Sequence, residues 1–271
     1  AQHNSLWNYV DNYYIKGFGL DPAKALLINS DEIELAEGKK YTEVFPDYKV
    51  DLTLRFREAR NHTERLQQQS LFMIDNWCVA YEEKVREKGG IGFFLGGIGP
   101  DGHIAFNTRG ASHYSPTRLT TTNFETQAVT AGDLGGIEVS RNRLVITVGL
   151  GTLTFNPDAR AIVYAAGEAI ADVIRDSVEN QPSNIYPATA LHKLPDARFY
   201  LTRGAAVKLK DSIDTYYFGS PWNHQKTERA VIDLCKKVNK FGPKLTLDDL
   251  KADEYCSNIP GVSENTVQSV I

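Results

Sequence analysis

The chain lacks most of the features that would settle its class at once. No apolar run approaches the roughly 20 residues that cross a hydrocarbon core, so no membrane span is expected. Its three cysteines, Cys78, Cys235 and Cys256, are scattered, with neither a Cys-x-x-Cys pair nor a Cys/His spacing of metal-site type. They read as free thiols in a reducing, cytoplasmic setting, and no metal or cofactor is expected. Basic residues are not in excess: 30 Lys and Arg stand against 34 Asp and Glu, a formal charge of −4. That balance carries no nucleic-acid footprint, which would show as a basic domain or stripe. Internal repeats and low-complexity segments are also missing. The opening residues, Ala1-Gln2-His3-Asn4-Ser5-Leu6-Trp7, run almost at once into an amphipathic stretch and read as the middle of a domain, so further residues are expected upstream. What remains is an ordinary globular composition, 42% hydrophobic and 24% charged over 271 residues, enough for a sizeable core without disulfides.

Hydrophobic periodicity supplies the elements. Residues 6–14 carry apolar and aromatic side chains at helical spacing, and Asp21-Pro22 marks a turn or helix start. Ala25-Leu26-Leu27-Ile28 predicts a short buried strand ending at Asn29-Ser30-Asp31-Glu32. Residues 61–88 predict a helix with Leu66, Ile74, Trp77, Cys78, Tyr81 and Val85 on the apolar side and Glu82, Glu83 and Arg86 on the exposed one; Gly89-Gly90 ends it. Strands are expected at 91–95, 144–148, 161–165 and 198–201, with a helix over 167–177. This alternation implies a three-layer α/β fold of Rossmann-like type, a mostly parallel sheet with helices on both faces. Ligands of such sheets sit beyond the carboxyl ends of the strands, where Asp31, the loop around Asp101 and the turn Gly149-Leu150-Gly151-Thr152 all fall. The pattern changes after about Lys208. Residues 1–208 are therefore expected to form the α/β domain and 209–271 a helical appendage on it, with one helix at 226–239 and a polar, acidic stretch at 245–255.

The chemistry concentrates after the strand at 91–95. Gly96-Gly97-x-Gly99 lets backbone approach a ligand because no Cβ intervenes. Asp101-Gly102-His103 adds a carboxylate two residues from an imidazole, a spacing that can fix the ring's tautomer and prepare it to move a proton. An imidazole hydrogen-bonded in a loop for purely structural reasons is the alternative.

The run Gly96 to Asn107 resembles the loop of the glucosamine-6-phosphate deaminase/isomerase family. Thr147-Val148-Gly149-Leu150-Gly151-Thr152-Leu153 and Pro187-Ala188-Thr189-Ala190-Leu191-His192 resemble two later segments of it, and the resemblance covers roughly residues 5–208. Gly99-Pro100-Asp101-Gly102-His103 is also similar to the related 6-phosphogluconolactonases, but Ile104-Ala105-Phe106-Asn107 favours the deaminases. The resemblance implies ring opening of an amino-sugar phosphate, aldose–ketose isomerisation and loss of ammonia, by a cytoplasmic homo-oligomer taking a small sugar or sugar phosphate as its partner. It implies Asp31 as the acid/base at C2, His103 as the ring-opening base and Asp101 as the residue that orients it. It further implies a pocket made by Gly97, Gly99, Ala105 and Asn107. Asp31 as a plain helix cap or solvated carboxylate stays open.

Four departures stand out. Thr108 occupies the position of a Glu that completes the family's proton relay, and a hydroxyl cannot hold negative charge there. Glu168 occupies that of a phosphate-binding Lys. The stretch 130–136 lacks the family's phosphate-binding Arg, with Arg141 and Arg143 further along. The family's phosphate loop would precede Asp31 by about thirty residues, where this chain shows only Ala1 to Ser5. Thr108 and Glu168 are therefore expected at the substrate with altered roles. Arg118 resembles a basic residue of an allosteric phosphate site, a plain surface arginine being the alternative. His113 and Tyr114 are candidates for the pocket mouth. A non-catalytic sugar-binding protein and a lactonase-like hydrolase remain the competing readings.

Overall fold

The computed structural model describes residues 6–47, 49–134, 136–142, 144–268 and 270. The opening Ala1 to Ser5, together with Gly135 and Arg143, lie outside the described residues. The chain divides into two compact units, Ala1–Ala205 and Ala206–Ile271.

The first unit is organised by a three-stranded parallel sheet in the order β1 (Phe93–Gly97), β4 (Arg160–Ala165), β5 (Asp196–Leu201). Its interior face carries Phe94, Ala161, Val163, Ala197 and Phe199. These pack with Leu150 and Leu153 of the short helix Leu150–Leu153 and with Ala188, Ala190 and Leu191 of the 3-10 stretch Pro187–Lys193. Alternation sends Phe93, Leu95, Tyr164 and Tyr200 to the other face, where they are exposed. The unit is thus a mixed α/β structure with a parallel sheet flanked by helical segments.

A second core gathers around helix α1 (His62–Glu87), where Leu66, Leu71, Ile74 and Cys78 meet Leu119, Val44, Phe45 and Leu54. Both ends of α1 are legible in the sequence. The side chain of Asn61 accepts the Glu64 amide at 2.8 Å as N-cap. At the other end Gly89 and Gly90, at φ 86 and 83, donate to the carbonyls of Arg86 and Val85, a turn a side chain would strain.

Several expectations need correcting. Residues 25–28 form no strand: the segment is irregular and half-exposed, and Tyr81 Oη holds the Leu26 carbonyl at 3.1 Å. Four apolar residues suit a buried strand and a strip laid along a helix equally well, and tertiary contact decides. Residues 144–147 do form a strand, β3 (Leu144–Thr147), but it pairs antiparallel with β2 (Arg118–Thr121) in a separate two-stranded sheet. Glu82 is not on an exposed side of α1; it is buried among threonines. The helix expected at 6–14 is a short α-helical turn, Leu6–Tyr9, continued as a π-helical segment, Val10–Lys16. Beyond β2 lies helix α2 (Phe124–Leu134), which periodicity did not suggest. The helix expected over 167–177 begins as a 3-10 turn, Glu168–Ile170, and continues as α3 (Ala171–Glu179).

The second unit holds helices α4 (Lys210–Phe218), α5 (His224–Val238) and α6 (Leu247–Ala252). Its core is Tyr217, Ala230, Val231, Leu234, Leu250, Cys256 and Ile259. Lys226 is buried there, its ammonium donating to the Ser220 carbonyl at 2.5 Å and lying 4.7 Å from the centre of the Trp222 ring. No helix among the described residues is long and apolar enough to cross a membrane.

Candidate active site

Strand β1 delivers the chain into the glycine-rich loop at the carboxyl edge of the parallel sheet. The Gly102 amide donates to the Gly99 carbonyl and the Gly99 amide to the His103 carbonyl, both at 3.0 Å, so the loop folds back on itself. A Cβ on Gly99 would run into the imidazole of His103; only glycine lets the ring lie there. The ring of Phe106 runs nearly parallel to that of His103, 6.5 Å between centres.

Asp101 is 2% exposed and makes three hydrogen bonds. Its Oδ1 lies 2.5 Å from His103 Nδ1, while Oδ2 accepts from Asn123 Nδ2 at 2.6 Å and from the Arg109 amide at 3.0 Å. Burial pushes the carboxyl up, but the bonds from His103 and the Arg109 amide outweigh it and hold the group down at about 2. Asp101 is therefore ionised at neutral pH and can only accept, so the proton of this bond sits on Nδ1 of His103 and Nε2 is the nitrogen left to exchange one with a ligand. An imidazole oriented in this way by a carboxylate can pass a proton through Nε2.

The far end of the loop is braced from outside. Ile104 and Asn107 pair as a one-residue bridge across a turn that puts Ala105 at φ 51, a left-handed conformation unusual for a residue with a side chain. The amide of Asn107 is wholly buried: Nδ2 donates to the carbonyls of Ile104 and Val148 at 3.1 and 2.8 Å, and Oδ1 accepts from Arg118 at 2.8 Å. The Phe106 amide donates to Thr147 Oγ1 at 3.0 Å. These bonds bring the end of β3 and its glycine turn onto the loop. Behind them, Glu82 accepts from Thr152 Oγ1 at 2.7 Å and from Thr117 Oγ1 and amide at 2.8 and 3.1 Å. Burial raises that carboxyl, and the threonine bonds and Arg86 bring it back below its ordinary value.

No family model matches the chain. Glucosamine-6-phosphate deaminase 1 of Mesocricetus auratus is 33% identical over 160 residues, covering 59% of this chain and 55% of the relative. Glucosamine-6-phosphate deaminase 2 of Mus musculus is 34% identical over 153 residues, 55% of this chain and 53% of the relative. Over about half its length the chain is similar in sequence to these glucosamine-6-phosphate deaminases. It also spans about half the length of the curated relatives it matches. Among solved structures, a monomeric glucosamine-6-phosphate deaminase superposes with a TM-score of 0.44 at 32% identity, over 48% of this chain and 52% of that one. A 6-phosphogluconolactonase from Trypanosoma cruzi gives 0.39 at 19% identity, over 52% and 53%.

The expected site residues separate into groups. Asp101, His103, Gly99 and Ala105 sit together in the loop, and Gly97 ends β1 at its mouth. Thr108 is half-buried and its carbonyl accepts the Ala111 amide. Glu168 is exposed in the turn after β4, at the same sheet edge as the loop because β1 and β4 run parallel. Asn107 was expected to bind substrate; its amide is instead committed inside the protein, which makes it a brace. Arg118 is not a plain surface arginine, since it holds Asn107 and Ser115. Arg141 is exposed and paired with Glu138. Asp31 lies exposed in the 3-10 turn Ser30–Glu32, its amide donating to Asn29 Oδ1 at 3.2 Å. With no strand at 25–28, Asp31 does not stand at a strand end. His113 is half-buried, and burial lowers its pKa; Tyr114 is exposed, with the Lys193 ammonium 4.0 Å from its ring centre. Among the described residues, no group of three or more His, Cys, Asp or Glu is placed to hold a metal ion. Sequence reasoning missed Asn123 and Thr126, whose Oγ1 is 3.4 Å from His103 Nδ1. The available signal was Asn123 three residues ahead of Thr126, a helix-start spacing.

Proposed function

We propose that this chain acts on an amino-sugar phosphate or a related sugar derivative by acid/base ring opening and aldose–ketose isomerisation. The observation that carries the reading is the Asp101–His103 pair, with Nδ1 held by the buried carboxylate, on a glycine loop at the carboxyl edge of the sheet. In this reading Nε2 takes the proton of the anomeric hydroxyl and returns one to the ring oxygen as the C1–O bond of the ring breaks. Gly97 offers backbone to the sugar and Ala105 lines the pocket. Asp31 carries the proton between C2 and C1. If the substrate carries an amine at C2, isomerisation leaves an imine there, and addition of water to that carbon releases ammonia and forms the ketose.

Thr108 and Glu168 set the expected rate. A threonine cannot charge to support the imidazolium, and a carboxylate at the phosphate end repels a dianion, though its exposure screens that repulsion. Deamination of glucosamine 6-phosphate is therefore expected to be slow. Ammonia release and ketose formation measure it, and His103→Ala should lower either rate by about 10²- to 10⁴-fold, the usual size of a general-base contribution. Turnover unchanged in that variant would refute the reading. Thr108→Glu should raise the rate.

A second reading, a sugar-derivative-binding homologue without catalysis, is favoured specifically by Thr108. It predicts that a sugar raises the melting temperature while no product forms, because a ligand that binds only the folded state stabilises it. A cytoplasmic setting and self-association belong to the first reading, and sedimentation measures the latter.

A further inference from the structure

Asn123 stands between the end of β2 and the start of α2, and its side-chain amide is used at both ends. Oδ1 accepts the Thr126 amide at 3.1 Å, the N-cap bond of α2. Nδ2 donates to Asp101 Oδ2 at 2.6 Å. The cap settles the amide's orientation, because the reverse assignment would set a carbonyl oxygen against a carboxylate.

We propose that Asn123 is a positioning residue that acts through Asp101 to hold His103 in the tautomer with a bare Nε2. Asp101 has two oxygens and three donors. With Oδ2 occupied by Asn123 and the Arg109 amide, Oδ1 is the oxygen left to face Nδ1. Backbone alone supplies one donor to Oδ2, which leaves the carboxylate more freedom to turn about its Cβ–Cγ axis. The second donor removes that freedom. It arrives from a residue 22 positions downstream, so the start of α2 is coupled to the imidazole. Thr108, where the deaminase resemblance would place a carboxylate, gives the imidazole no charged support, so Asp101 is the carboxylate bonded to His103 and its orientation decides the tautomer. The inference deepens the proton-transfer reading of this site and rests on it for its consequence in turnover.

The test separates capping from positioning. Asn123→Ser keeps an oxygen that can cap α2 and removes the donor to Asp101. The readout is the ¹⁵N spectrum of the His103 ring at neutral pH in the full chain, without substrate. The wild-type protein should show a protonated Nδ1 and an unprotonated Nε2. Asn123→Ser should shift both nitrogens toward a tautomer average while helix content by circular dichroism stays unchanged. A serine variant with the wild-type His103 spectrum would overturn the proposal. So would a wild-type protein protonated at Nε2, which needs no variant to fold. Because the spectrum requires no turnover, a shifted spectrum in a protein without activity supports the role of Asn123 and counts only against the proposed reaction.

Discussion

Two short segments of the first unit each carry an aspartate in a turn, and the structure treats them in opposite ways. In the loop after β1, Asp101 is buried, and side-chain and backbone donors converge on it from His103, Arg109 and Asn123. In the turn Ser30–Glu32, Asp31 is exposed, and its neighbour Asn29 bonds locally to the Asp31 amide and to the Glu32 carboxylate. The first arrangement fixes a proton's location before any ligand arrives. The second leaves a carboxylate at the surface of a short turn.

The largest test of that contrast is truncation. Asp101→Ala strands three donors in the interior, and removing one partner of a buried charged network costs about 3–5 kcal/mol. The melting temperature should fall by roughly 2–4 °C for each kcal/mol lost in a unit of this size. Asp31→Ala should stay within about 0.5 kcal/mol, as exposed substitutions do. Equal losses in the two variants would erase the distinction.

Acid gives a smaller effect of the same origin. Asp101 is held at about 2 against an ordinary 3.8, so between those values the unfolded chain binds the extra proton. The stability this confers is fully present above about pH 4 and is lost as pH falls toward about 2. Its size is about 2 kcal/mol, from the shift alone. Denaturant melts of wild type and Asp101→Asn across that window measure it; the variant should lack this limb.

The smallest test lies within the loop. Gly99→Ala forces the His103 ring to move and should cost about 1–3 kcal/mol, the usual range for overpacking. A Cβ at Gly97 would meet only the Tyr164 carbonyl, at an ordinary 3.8 Å, and Gly97→Ala should be close to neutral. Thermal melts of the pair order the two glycines.

How much could be read beforehand differs from element to element. Helix α1 was legible because its periodicity is long and both its caps are local. The strands of the parallel sheet were legible as short apolar runs bounded by glycine and proline. The glycine turn was legible because its backbone bonds join Gly99 to Gly102 and to His103, within five positions. The segment 25–28 was not, since four apolar residues state a wish for burial without naming the surface. Strand β3 was found, but its antiparallel partner was not, because β2 is a polar run, Arg118-Leu119-Thr120-Thr121, with a single apolar residue to announce it.

What the sequence by itself determined is everything that short-range geometry controls: the turn at Gly99, the Asp-x-His spacing, the caps of α1 and the alternation that makes an α/β unit. Tertiary structure alone decided which oxygen of Asp101 faces the imidazole, since Asn123 comes from 22 residues away. It also decided that Glu82 lies buried rather than exposed, because Thr117 and Thr152 meet it from other segments. A carboxylate's charge and exposure depend on donors that the fold brings from a distance, and no local pattern records them.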